Sequence, residues 1–309
     1  MVGDAVRERL LSVTGDHSPF ATVYREVEIL AFRVETPLPH FLFSTFGLSP
    51  VRSSLPLAGT HTELTLRVPA GESPLPPEWP ARILAYLIRH IRRGGRAIEP
   101  GHYMDLQQPV CQGSALTALS FVADPLLGLV DSPLALTQFT YAVGLTTTDL
   151  QEALAWDPVK FTGVLGDVFP LGLSDPARTN VSADPAAAHR IAQATAAEGS
   201  SIGAAGVRLL DVEPSGRIDV DVSGASAILR AMRHRLPFGR SFALVADNGE
   251  AWLLFESATD PGIQPQDQGL LVHTTPKLRN EILATVDPRP GRYEFVTAPL
   301  SLHVVDTRT

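Results

Sequence analysis

The sequence predicts an α+β protein of two domains. Three observations carry this. Strand-like runs cluster instead of alternating regularly with helices, which argues against a doubly wound sheet. A chain of 309 residues has the length of about two domains. Beyond Gly199-Ser200-Ser201 the texture changes to short strands. The boundary is therefore expected near residues 200–216, dividing the chain into 1–205 and 206–309.

The elements follow in order. Val6, Leu10 and Val13 recur at helical spacing, with Asp4 expected as cap and Gly15 as stop. Thr22 to Val34 reads as one strand, closed by Pro37 and Pro39, and Phe41 to Phe46 as another, stopped by Gly47. Glu63-Leu64-Thr65-Leu66-Arg67-Val68 alternates polar with apolar, the period of a half-buried strand. A proline-rich entry at 74–80 leads into a helix striped by Ile83, Leu84, Leu87, Ile88 and Ile91, ended by Gly94-Gly95. Strands are expected at 116–122 and 136–143. Thr148-Asp149-Leu150-Gln151 reads as a capping box for a helix through Trp156. Asp157-Pro158 and Asp184-Pro185 each open a further helix, because proline fits the first turn.

In the second lobe, strands are expected at 207–212, 218–222, 242–246, 251–255, 292–296 and 300–305. Asp247-Asn248-Gly249 is a hairpin signal. Thr275 with Pro276 caps a helix carrying Leu278, Ile282 and Leu283.

Composition narrows the function. An apolar fraction of 44% supports a buried core. Twenty-five basic residues against 33 acidic ones give a net charge of −8, which argues against direct nucleic-acid binding. The densest basic runs are Arg89-His90-Ile91-Arg92-Arg93 with Arg96, and Arg230 to Arg240. No apolar run approaches the roughly 18 residues of a membrane span, and the start is a poor secretion signal. A cytoplasmic location is expected. One cysteine, Cys111, excludes an internal disulfide and a multi-thiolate metal site.

Chemistry is sparse. The nine histidines stand apart, with no pair at the four-residue spacing of one helical face. His61 with Glu63, His102 with Asp105, and the lone thiol of Cys111 are the candidates for acid/base, metal or nucleophilic work. There is no G-x-S-x-G elbow, and the glycines at 199, 203 and 206 follow a helix, unlike the dinucleotide fingerprint. Neither a cofactor nor a metal is expected.

A series of motifs carries a family resemblance. Phe46-Gly47-Leu48-Ser49, Glu63 to Val68, Pro76-Pro77-Glu78-Trp79-Pro80-Ala81, Asp124-Pro125, Ser132-Pro133-Leu134, Val143-Gly144-Leu145-Thr146, Ser174-Asp175 with Arg178, Glu198-Gly199-Ser200-Ser201 and Leu236-Pro237-Phe238-Gly239-Arg240-Ser241-Phe242 stand in the order of the suppressor of fused family. The resemblance spans roughly residues 38–309 and lacks the long insert of animal members, so the chain looks like a bacterial-type member.

This resemblance implies two suppressor of fused-like domains, mixed α/β lobes each with a mostly antiparallel sheet and a few packed helices, that clasp an extended segment of a partner protein between them by strand addition. It implies no catalytic residue. By position it nominates His90, His102 and Asp124 for partner contact; His90 and His102 replace a tyrosine and an aspartate of the family. Bacterial relatives often look like immunity proteins, so neutralising a toxin is a plausible specialisation. The rival reading is a small-molecule or hydrolytic enzyme using His61/Glu63 or Cys111, for which these groups must converge in one pocket.

Overall fold

The computed structural model describes residues 2–15, 18–49, 60–94, 98–132 and 135–307. The chain forms two compact units, Met1–Ala153 with Pro158–His189, and Leu154–Asp157 with Arg190–Thr309.

The first unit runs α1 (Val2–Thr14), β1 (Phe20–Tyr24), β2 (Val27–Val34), β3 (His40–Phe46), β4 (Thr60–Pro69), α2 (Trp79–Gly94), β5 (Tyr103–Asp105), β6 (Leu116–Ala123), β7 (Leu129–Ser132), β8 (Ala135–Thr146), α3 (Thr147–Ala155) and α4 (Pro158–Val168). Its sheet has the order β1-β2-β3-β4-β8-β6-β5, with β7 also on β8, and among the described residues only the β4–β8 pair is parallel. Period-two alternation sends Val27, Ile29, Phe41, Phe43, Leu64, Leu66 and Val68 to one face, against Leu84, Leu87 and Ile88 of α2. Leu30, Phe32, Leu42 and Phe139 point to the other face, against Val6 and Leu10 of α1.

Coverage on both faces corrects the reading of β4. Its alternation suggested a half-exposed strand, yet every residue from Thr62 to Val68 is buried. The polar positions lie inside the protein.

Three local expectations shift. Asp4 falls inside α1, which starts at Val2, and Gly15 ends the helix at φ 74°. The single strand at 22–34 is a hairpin, because Arg25 and Glu26 adopt φ 48° and 69° and turn the chain between β1 and β2. The capping box lies two residues early: Thr146 N–H donates to Asp149 Oδ2 at 2.9 Å, and Asp149 N–H to Thr146 Oγ1 at 3.1 Å. Gly95, Arg96, Pro133 and Leu134, which entered the sequence reading, lie outside the described residues.

Helix α5 (Pro185–Glu198) leads into the second unit, which runs β9 (Ala204–Val207), β10 (Leu210–Val212), β11 (Arg217–Asp221), α6 (Val222–His234), β12 (Phe242–Ala246), β13 (Trp252–Ser257), β14 (Gly262–Gln266), β15 (Gly269–Thr274), α7 (Pro276–Thr285), β16 (Gly291–Glu294) and β17 (Ser301–Val305). Two sheets result, β10-β11-β17-β16 and β14-β15-β13-β12-β9. Ile228, Met232, Leu244, Phe255, Val272, Leu278 and Leu302 join them in one core.

The strand expected at 207–212 is broken into β9 and β10, and the one at 218–222 ends at Asp221. Asp221 caps α6 instead: its carboxylate accepts from Gly224 N–H at 2.7 Å and from Arg208 N–H at 2.9 Å. Thr275 caps α7 as expected, accepting from Leu278 N–H at 3.2 Å.

Candidate functional site

The chemistry-bearing residues of the first unit serve its interior. Arg67 lies on β4 and Asp124 on the turn after β6, and an Arg67 Nη2 to Asp124 Oδ2 ion pair of 2.9 Å joins two almost fully buried side chains. Asp124 also accepts from Thr65 Oγ1 at 2.6 Å and from the N–H groups of Leu126 and Leu127 at 2.9 and 3.0 Å. Burial alone would raise its pKa; the Arg67 charge and these donors outweigh that and hold the carboxyl below the usual range. The Arg67 guanidinium sits 4.6 Å from the Tyr141 ring centre, which gives the cation a π-face inside the protein. Tyr141 donates to Gly172 O at 2.6 Å.

A second buried pair, Arg178 Nη2 with Asp149 Oδ2 at 2.8 Å, ties the start of α3 to the loop that precedes residue 180. Asp149 Oδ1 accepts from Val181 N–H at 2.8 Å.

Glu63 has a comparable role. Its carboxylate accepts from Thr45 Oγ1 at 2.6 Å and from the N–H groups of Gly47, Leu48 and Ser49 at 3.1, 3.3 and 2.9 Å. His61 Nδ1 bonds the carbonyl of Ser49. Both residues thus hold the Phe46-Gly47-Leu48-Ser49 loop, and both carboxylate oxygens of the fully buried Glu63 are engaged by it. Cys111 is half-buried and packs beside the α2-facing core.

The residues expected at a partner surface separate. His90 is exposed on α2, and His102 is exposed at the entry to β5, its Nδ1 accepting from Glu99 N–H at 3.1 Å. Asp124 presents no surface: its side chain is buried and its oxygens face Arg67, Thr65 and the turn. Asp105 Oδ1 accepts from Gln107 N–H at 2.8 Å, and no hydrogen bond or ion pair links Asp105 to His102 among the described residues.

Terminal strands among the described residues include β1 and β5 in the first unit and β9, β10, β14 and β16 in the second. In β5, His102 O accepts from Phe121 N–H at 2.9 Å and Leu106 N–H donates to Thr117 O at 3.0 Å. Residues 102, 104 and 106 therefore bond β6, and alternation turns the N–H and C=O of Tyr103 and Asp105 outward. In β9, Gly203 O accepts from Ala243 N–H and Val207 O from Asp247 N–H, both at 2.9 Å. The same parity turns Ala204 and Gly206 outward. Each strand is terminal in its sheet among the described residues. The sequence gives little hint of this: β5 is only Tyr-Met-Asp and β9 reads Ala-Ala-Gly-Val, so each holds a single strand-favouring residue, too few to make a pattern.

Among the described residues no group of three or more His, Cys, Asp or Glu is placed to hold a metal, and no helix is long and apolar enough to cross a membrane.

An α+β fold in two units, with the buried carboxylates of Glu63, Asp124 and Asp149 engaged in structure and terminal strands in each unit, defines the class. The chain belongs to the suppressor of fused family: the model of that family, described as Suppressor of fused protein, matches residues 24–179. The crystal structure of Drosophila Suppressor of Fused is similar in fold, with a TM-score of 0.74 and 15% identity over 99% of this chain and 97% of that one. A structure described as the Sufu-Fu complex is similar over 61% of this chain and 96% of that one, with a TM-score of 0.55 and 19% identity. No curated protein matches the chain in sequence.

Proposed function

We propose that this chain is a non-catalytic protein-binding module that takes up an extended segment of a partner protein by strand addition. The single observation that carries the reading is the outward-turned backbone of β5 at Tyr103 and Asp105, with exposed His102 beside it. The family membership and the fold likeness to a suppressor of fused protein in complex with Fu support it. So does the engagement of Glu63 and His61 in a loop, which leaves the enzyme reading without its pair. In this proposal His90 and His102 make the side-chain contacts, and Asp124 shapes the turn from inside. Net charge of −8 suits attraction to a basic partner, and a toxin domain neutralised in this way is the specialisation we infer.

The test is capture of partners from the native cells by the tagged chain, with a photo-crosslinker at position 105. Tyr103→Pro removes an outward N–H without touching the bonds to β6. It is expected to abolish capture and crosslinking while the melting temperature stays unchanged. Undiminished capture by a folded Tyr103→Pro variant overturns the reading.

A further inference from the structure

The second edge carries a charge arrangement that the strand-addition reading does not use. The residues after α6 bring cations to the entry of β9. Arg235 Nη1 and Arg240 Nη1 donate to the same carbonyl, Ser200 O, at 2.9 and 3.3 Å, so two guanidinium groups stand side by side. Arg235 also donates to Ser241 O. Its Nη2 lies where a Cβ on Gly203 would come within 3.0 Å, directly before the outward-turned Ala204. Arg233 is exposed at the end of α6. None of Arg233, Arg235 and Arg240 forms an ion pair among the described residues.

A helix C-terminus accounts for one or two basic residues in its last turn, since they complement the dipole. It does not account for Arg240, which follows the left-handed Gly239 and lies outside the helix. Burial lowers the pKa of Arg235, and the adjacent Arg240 charge lowers it further, as expected of like charges held together without a counter-ion.

The other end of the edge has the opposite sign. A Cβ on Gly206 would come within 3.2 Å of Asp247 Oδ1, so a carboxylate flanks the second outward-turned residue. Asp247 makes no ion pair among the described residues either.

We propose that the β9 edge selects an extended protein segment bearing a carboxylate at the end that meets Gly203, where Arg235 and Arg240 receive it, and a basic or neutral residue at the end beside Asp247. This deepens the strand-addition reading and rests on it. The backbone supplies the pairing; the charge dipole along the edge fixes direction and register. The overall negative charge and this local positive spot act at different ranges, the first on encounter and the second on docking.

Fluorescein-labelled eight-residue peptides of alternating Thr and Val are the probe, with Glu, Gln or Lys at one end, titrated against the full chain by fluorescence anisotropy at low salt. The Glu peptide is expected to bind about tenfold more tightly than the Gln peptide. Arg240→Glu is expected to abolish that preference and to favour the Lys peptide. Because Arg235 also holds backbone, the exposed Arg233→Gln and Arg240→Gln serve as milder variants, each weakening the Glu peptide about threefold. Equal binding of the Glu and Gln peptides, no binding of any, or an unchanged ranking in Arg240→Glu overturns the proposal. So does tighter binding of an oligothymidylate that Arg240→Glu loses, which would make the cluster a nucleic-acid contact. Ala204→Pro tests the pairing at β9, and capture by Tyr103→Pro tests the underlying reading at β5, so the two can fail separately. A Glu preference that survives Ala204→Pro overturns the proposal, because the segment is then held by charge without strand addition.

Discussion

Glu63 shows how a residue whose type suggests chemistry can be fully engaged by structure. Three successive N–H groups and a threonine hydroxyl converge on its carboxylate, yet burial pushes its pKa up against those donors. In the unfolded chain it ionises near pH 4.3, before it does so in the folded protein. As pH rises from there toward the folded value, the unfolded state gains and stability falls. Glu63→Gln removes this titration. The stability lost in Glu63→Gln is therefore expected to be larger at pH 4 than at pH 7, measured by urea unfolding at both. A loss that grows toward pH 7 would mean that the donors outweigh burial. Asp124 runs the opposite way: held below the usual range, it contributes above pH about 3.9 and loses that contribution as pH falls through its folded value. Asp124 carried only the turn signal of Asp-Pro, and the burial of Glu63 was not legible from alternation, which places polar residues of a strand on a wet face. It takes the second covering layer to turn them inward.

At the scale of elements, the helix starts at Asp157-Pro158, Asp184-Pro185 and Thr275-Pro276 were readable, because proline and a capping side chain act locally. The β1–β2 turn was not: Arg25-Glu26 carries neither Asn nor Gly, and its positive φ values are imposed by the strands on either side. The cap of α3 was displaced for a related reason. Thr146, Thr147 and Thr148 are equivalent by residue type, and the choice of Thr146 is settled by Asp149, which also meets Arg178 and Val181. Asp149→Ala is thus expected to cost about 3–5 kcal/mol, since it strands a buried guanidinium as well as uncapping a helix. Chemical denaturation measures this. A loss near the roughly 1 kcal/mol of a cap alone would show that Arg178 finds another partner. As for the candidate site, His90 and His102 are exposed, and Arg240 was readable only as one charge in a basic run. Its proximity to Arg235 arises from the turn at Gly239.

At the scale of the molecule, each unit encloses apolar residues of its own: Phe121 beside α2 in the first and Phe255 in the second, both almost fully buried. Truncating either to alanine is expected to cost about 3–5 kcal/mol. Hydrogen exchange should then rise in the unit that contains the substitution and stay unchanged in the other. Equal acceleration across both units would show that they open as one cooperative body.

The brevity of the uncovered strands sets a ceiling on main-chain recognition. Two outward residues on β5 offer one donor and one acceptor each, so about four backbone bonds form there, at a net 0.5–1.5 kcal/mol apiece. That sums to about 2–6 kcal/mol, which the roughly 4 kcal/mol or more of association entropy largely cancels, so pairing alone holds a segment no more tightly than the tens-of-millimolar range. Discrimination among partners must then come from the side chains flanking the strand. Those of His102 and Asp105 are exposed, while Met104 and Leu106 pack against the core, so one scaffold can be re-addressed to a new target by a few surface changes while its interior stays as it is.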